Sequence, residues 1–187
     1  KHKKRMDYPI TMFEDFVMEE NPFPENGSKR TLEELHYLEK QEVDKKFVEE
    51  HDDVTKVFKK LFEELELEFN KDESEELLRQ SAKYLMELKY KYNRPRPYQL
   101  APHYNIKLGE KVMESMKTPS YPSGHSAQGI LIGKVLQTKL PINTDAFLEA
   151  GKRISYSRNI GRAHYPSDSR LGEDIGDAMF RYIREKI

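Results

Sequence analysis

The sequence predicts an all-α protein, a compact helical bundle, on three observations. Apolar residues recur at three- and four-residue steps, as in Val54, Val57, Phe58, Leu61, Phe62 and Leu65, the spacing of one helix face. Helix-ending signals, above all Pro95 and Pro97, interrupt these stretches. No segment reads convincingly as a strand. A chain of 187 residues is expected to form a single domain spanning 1–187, with enough length to bury roughly 70% of its unfolded surface.

The elements follow in order. Residues 1–30 lack sustained periodicity and contain Pro22, Pro24, Asn26 and Gly27, so they read as an extended N-terminal arm. A helix is expected from Thr31, where Thr31 and Glu34 have capping-box spacing ahead of Leu35 and Leu38. From there a charged helical half, 31–88, should contain two or three antiparallel helices broken near His51-Asp52-Asp53 and Asn70-Lys71-Asp72. Its dense Glu and Lys read as a solvated face. Pro95 and Pro97 end the helix before them, which leaves Lys89 in its last turns and Arg96 just beyond.

Within the region 89–168, Ser123 to Leu140 reads as a helix apolar through its middle, with Gly124, Ala127, Gly129 and Gly133 allowing close neighbours. Such a helix belongs at the centre of the domain. A further helix starting near Thr144 carries Arg158 towards its end, and Gly161 to Pro166 is read as a loop holding His164. Ser167 then opens the C-terminal helix that fills 169–187, with Asp168 in its first turn.

Composition limits the function. Hydrophobic residues make up 36% and charged residues 35% of the chain, with a formal net charge of -1. That balance provides no global field for nucleic acid or an anionic membrane, so any positive focus is local. The absence of cysteine removes disulfides, thiolate nucleophiles and cysteine-based zinc sites. The most apolar stretch, Gly129 to Gly133, runs into Lys134 and is far shorter than the ~20 residues of a membrane span. A homo-oligomer is compatible with this composition. The expected location is periplasmic or secreted if a leader has been removed, and cytoplasmic otherwise.

Against that balance, cations and histidines gather in three short segments with almost no acid among them. These are Lys89 with Arg96-Pro97, then Pro122-Ser123-Gly124-His125, then Ser157-Arg158 with His164 and Asp168. Each alone has an ordinary reading, as surface charge, turn, structural histidine or capping acid. Together they offer permanent charge, free N–H groups at a helix N-terminus and two imidazoles, which is what holding and transferring a tetrahedral oxyanion requires.

The fixed spacing, Lys89-x6-Arg96-Pro97, then Pro122-Ser123-Gly124-His125, then Ser157-Arg158-x5-His164-x3-Asp168, resembles the signature of the superfamily of type 2 phosphatidic acid phosphatases, bacterial class A non-specific acid phosphatases and vanadium-dependent haloperoxidases. Arg94, the run Ser120-Tyr121 before Pro122, and Gly161-Arg162-Ala163 before His164 look most like the class A acid phosphatases. The resemblance covers residues 89 to 168 and leaves the first 80 residues without a counterpart.

It implies a helical bundle with the phosphate site at its centre and a phosphomonoesterase as the activity. Lys89, Arg96, Ser123, Gly124 and Arg158 would bind the phosphoryl group. His164 would be the nucleophile that forms a phosphohistidine, Asp168 would hold its ring, and His125 would serve the leaving group and then water. No metal or other cofactor is implied, and vanadate is expected to bind as an inhibitor or phosphate mimic. The same cradle would suit a vanadate-dependent haloperoxidase, although this chain is short for that scaffold, or a phosphatase of lipid phosphates or pyrophosphates.

Overall fold

The computed structural model describes residues 9–109, 112–142 and 144–187. Along these, the chain forms α1 (Lys29–Lys40), α2 (Lys45–Glu50), α3 (Val54–Glu64), α4 (Lys71–Tyr92), the short α5 (Pro97–Leu100), α6 (Gly124–Lys139), α7 (Ala146–Ile160) and α8 (Pro166–Ile183). Single 3-10 turns follow α5, precede α6 and end the chain. There is no strand among the described residues, and the fold is all-α.

The apolar helix α6 takes the central place its composition demands. It packs most extensively against α7 and α8, with α4 and α3 completing its surroundings. Ile130, Leu131, Ile132 and Val135 of α6 are buried with Phe147 and Ile154 of α7 and Leu171, Ile175 and Met179 of α8. Burial of each such side chain contributes about 1.5–3 kcal/mol relative to exposure. Close approach of the helices depends on glycine. A Cβ on Gly151 of α7 would overlap the carbonyl of Gly129, and one on Gly172 of α8 would overlap the carbonyl of Ser123.

Several helix ends differ from the sequence reading, each for a local reason. Helix α1 starts at Lys29 because Ser28, not Thr31, is its cap: the Ser28 hydroxyl accepts from the Thr31 N–H at 3.2 Å. Thr31 instead donates back to the carbonyls of Pro24 and Glu25, and Glu34 points away from the helix start altogether. The charged half contains an additional break at 41–44, where the Asp44 carboxylate caps α2. Asp53 and Asn70 cap α3 and α4 at the two expected breaks. Pro166, which needs no N–H partner, opens α8 one residue ahead of Ser167. Helix α4 ends at Tyr92, with Asn93 in the left-handed conformation at φ 52°.

The arm before α1 is strapped down along its described length. The Gln80 side chain accepts from the N–H groups of Thr11 and Met12 and donates to the carbonyl of Pro9. Phe13 and Phe16 enter the main core, where both pack against Tyr182 of α8. Further along, Tyr121 donates to the Asn21 carbonyl at 2.6 Å. No described helix is long and apolar enough to cross a membrane.

The crossing of α6 and α7 yields a stability prediction. Gly151→Ala is expected to cost about 1–3 kcal/mol through overpacking, a fall of roughly 3–10 °C in Tm for a chain of this size. Thr138→Ala, on the exposed side of α6, should stay within about 0.5 kcal/mol. Equal Tm values for the two variants would contradict the close crossing.

Candidate active site

The first segment places its cations by leaving helical geometry. Lys89, on the last turn of α4, is 5% exposed, and its ammonium donates to the carbonyls of Pro122 at 2.7 Å and Pro119 at 3.2 Å. The two prolines around Arg96 hold the chain extended, and Arg96 turns fully inwards. Its Nε donates to the Thr118 carbonyl at 2.7 Å, and its Nη2 donates to the Ser115 carbonyl and to Thr118 Oγ1. Its Nη1 donates to the Ala163 carbonyl and lies 2.9 Å from His164 Nε2. Main-chain oxygens thus replace water around both buried charges.

The second segment is the start of α6. Ser123 caps it, accepting from the Ser126 N–H at 3.2 Å, so the hydroxyl proton of Ser123 is left to donate elsewhere. Gly124 opens the first turn against Lys89: a Cβ there would sit 3.7 Å from Lys89 Cε. His125 Nε2 lies 2.7 Å from the carbonyl of Asp52 and can only donate to it, which leaves Nδ1 as its free nitrogen. Asp52, in the turn between α2 and α3, also accepts from Arg158 Nη1 through its carboxylate at 3.1 Å. Arg158 itself is completely buried near the end of α7, and its Nη2 makes no hydrogen bond within the protein.

The third segment pairs the remaining groups. His164 Nδ1 lies 3.0 Å from Asp168 Oδ2. The same carboxylate oxygen accepts from the Tyr165 N–H and the Ser120 hydroxyl, while Oδ1 accepts from Arg94 Nη1 at 2.8 Å. With Nδ1 donating to Asp168, the lone pair of His164 is on Nε2, facing Arg96. One cavity of about 240 Å³ is lined by Lys89, Arg96, Gly124, His125 and His164, with Leu85 and Met86 of α4 as its apolar wall.

The structure therefore brings all three segments together. Lys89, Arg96, Gly124, His125 and His164 line the cavity, whereas Ser123, Arg158 and Asp168 sit behind them. Two functional neighbours lay outside the sequence reading. Asp52 had been read only as part of a helix break and Glu34 only as a capping residue; neither has a spacing relation to the motifs. Arg94, singled out only by the resemblance to class A acid phosphatases and without a role, meets Asp168, Glu34 and the face of Tyr165. Among the described residues, no group of three or more His, Asp or Glu side chains is arranged to hold a metal ion.

Crowding of like charges shifts the site's titrations. Burial and then the Arg96 charge bring Lys89 down to about 7, against the pull of Asp168. Burial, followed by Arg96, Lys89 and Arg158, holds His164 well below the ordinary histidine value, which favours the neutral ring. His125 is also lowered, first by burial and then by Arg158, though Asp52 opposes this and a quarter of its side chain remains exposed. In the anion-free site its proton is therefore disfavoured, and a bound anion would supply the missing counter-charge.

Similarity to proteins of known activity covers part of the chain. A 93-residue stretch is 35% identical to a non-specific acid phosphatase of Salmonella typhimurium, which is 50% of this chain and 37% of that protein. A stretch of the same length is 32% identical to the non-specific acid phosphatase of Salmonella typhi, with the same coverage. The match thus spans little more than a third of either relative's length. No protein-family profile matches the chain.

The lowered Lys89 makes anion binding pH-dependent with a definite sign. A bound dianion raises the Lys89 value above about 7, so affinity is full below pH 7 and declines as pH rises from there towards the bound-state value. Sulfate, whose charge is constant in this range, should bind about tenfold more weakly at pH 8 than at pH 6, as coupling to one proton requires. Isothermal titration of wild type and Lys89→Met checks this. Wild-type affinity that is flat between these values would contradict the assignment.

Proposed function

We propose that this chain is a phosphomonoesterase that transfers the phosphoryl group of its substrate to His164 and then to water. The observation that carries the reading is an unpaired guanidinium nitrogen in a cluster of buried cations, with an imidazole lone pair held there by Arg96 alone among its hydrogen-bond partners. Arg158 Nη2 is buried without a partner in the protein, beside the buried Lys89 and Arg96. A neutral imidazole presents Nε2 to the same place. Buried cations with a donor left unpaired are costly even where one carboxylate reaches them, and a tetrahedral oxyanion is the ligand that relieves that cost. The acid phosphatase relatives support this chemistry over half of the chain.

The geometry of the site and the motif resemblance support the steps of this reaction. Oxygens of the phosphoryl group accept from Arg158 Nη2, Arg96, Lys89 and the Gly124 N–H at the head of α6, aided by the Ser123 hydroxyl. An oxygen that draws Arg96 Nη1 to itself frees His164 Nε2 to attack phosphorus. As the N–P bond forms, the ring becomes cationic, and Asp168 stabilises it through Nδ1–H. The P–O bond to the alcohol breaks, and His125 Nδ1, protonated once the anion is bound, gives its proton to the departing oxygen. The neutral Nδ1 then takes a proton from water as water attacks the phosphohistidine, releasing phosphate and restoring His164. Catalysis lies mainly in charges fixed before the substrate arrives. Vanadate, with the same tetrahedral oxyanion chemistry, would compete for the cradle.

Hydrolysis of nitrophenyl phosphate and glycerol phosphate by purified variants tests the roles separately. His164→Ala is expected to abolish turnover of both and to trap no acid-labile phosphoryl label after rapid quenching. His125→Ala should lose about 10²–10⁴-fold on glycerol phosphate, whose leaving group needs a proton, and much less on the nitrophenyl ester. Full burst activity in His164→Ala, or equal losses on the two substrates in His125→Ala, would overturn the respective role.

A further inference from the structure

Behind Asp168 lies a buried charge network that the steps above do not use. Arg94, completely buried, donates from Nη1 to Asp168 Oδ1 and to Ser167 Oγ, both at 2.8 Å. Its Nη2 approaches Glu34 Oε2 at 3.5 Å. Glu34, on α1, accepts from the Ser167 N–H through Oε1 at 2.6 Å and from the Ser167 hydroxyl through Oε2 at 2.8 Å. The guanidinium is stacked on the Tyr165 ring, 3.6 Å from its centre, and lies 5.2 Å from the centre of the Phe23 ring. Tyr165 is in turn fixed by its hydroxyl, which donates to the Pro95 carbonyl at 3.0 Å.

We propose that Arg94, held by Glu34, is a positioning residue for the His164–Asp168 pair, so that α1 takes part in setting the nucleophile; the inference rests on the phosphatase reading above. Asp168 has two oxygens and two duties. Oδ2 is held by His164 Nδ1, the Ser120 hydroxyl and the Tyr165 N–H, and Oδ1, which fixes the plane of the carboxylate, is held by Arg94 alone among its described side-chain partners. Rotation of Asp168 would release the ring and leave the tautomer unspecified. Glu34 has the complementary effect on charge. Arg94 and Asp168 by themselves sum to zero, whereas Glu34, Arg94 and Asp168 sum to one negative charge, able to offset the imidazolium that forms at His164.

The charge balance around Asp168 supplies a readout that a purely structural role would not move. Arg94 and Lys89 favour its ionised form against the cost of burial. His164, Tyr165 and Tyr121 face it from their own segments, and Arg96 stands beyond His164. Loss of the positive charge of Arg94 makes ionisation of Asp168 harder. Loss of the negative charge of Glu34 makes it easier.

The test compares wild type, Arg94→Gln, Arg94→Lys and Glu34→Gln with nitrophenyl phosphate across pH, alongside Tm and the NMR titration of the His164 ring. Arg94→Gln is expected to lower kcat about ten- to a hundredfold, to leave KM within about twofold, and to move the acidic limb of kcat up by about one pH unit. Arg94→Lys should bring the limb back. Glu34→Gln, which keeps an acceptor for the Ser167 N–H, should move the limb the opposite way. The His164 ring should report the same opposite shifts without turnover. Losses at every pH with an unmoved limb and unmoved ring titration would overturn the proposal and leave Arg94 a scaffold residue. If wild type hydrolyses no ester, the phosphatase reading fails while the ring titration still decides whether Arg94 governs the pair.

Discussion

Everything in this structure answers to one physical problem, the cost of keeping several positive charges out of water. Lys89, Arg96 and Arg158 are each 5% exposed or less, and Arg94 lies behind them with none of its surface exposed. The penalty for burying an ion is several kcal/mol even after the protein relaxes. Acids answer only part of it: Asp52 meets Arg158, while Asp168 and Glu34 meet Arg94. The rest falls to main-chain carbonyls, from Ser115, Thr118, Pro119, Pro122 and Ala163. Carbonyls solvate a cation without cancelling its charge, so the field remains available to a ligand.

That solution dictates where the chain cannot be helical. A carbonyl inside a helix is already engaged, so the oxygens must come from irregular backbone. The two segments that supply them, 113–122 and 161–164, run between helices, close to the N-terminal ends of α6 and α8. Both must then be held closely against the helices that carry the cations. Small residues achieve this, because Gly172 lets α8 approach the Ser123 carbonyl and Gly151 lets α7 reach α6. The packing of the core and the electrostatics of the site are thus two aspects of the same close helix crossing.

The all-α fold and the residues that line the cavity were legible in the sequence because both depend on local pattern. Helical periodicity marks α3 and α6, proline marks the end of α4, and the motif spacings mark Lys89, Arg96, His125 and His164. Asp52 and Glu34 were not legible, since their value comes from distance in the chain. Asp52 meets Arg158 across 106 residues and Glu34 meets Ser167 across 133. Nothing near either one distinguishes it from the other acids of a charged half. Glu34 misled for a definable reason: its offset from Thr31 imitates a capping box, while Ser28, three residues earlier, was better placed to cap. The lowered basicity of His125 is also beyond spacing, because it depends first on burial and then on the Arg158 guanidinium.

The strapping of the N-terminal arm and α1 has a consequence for how such a site tolerates change. The residues from 89 to 168 hold every group that lines the proposed phosphate cradle, yet two of the three carboxylates that balance Arg94 and Arg158 arrive from α1 and from the turn after α2. The first half is therefore bound to the site at two side chains, Glu34 and Asp52, and to the core through Phe58, Leu61, Phe62 and Leu85. A fragment trimmed to the motif region would carry the complete signature and lack the counter-ions that make its interior affordable.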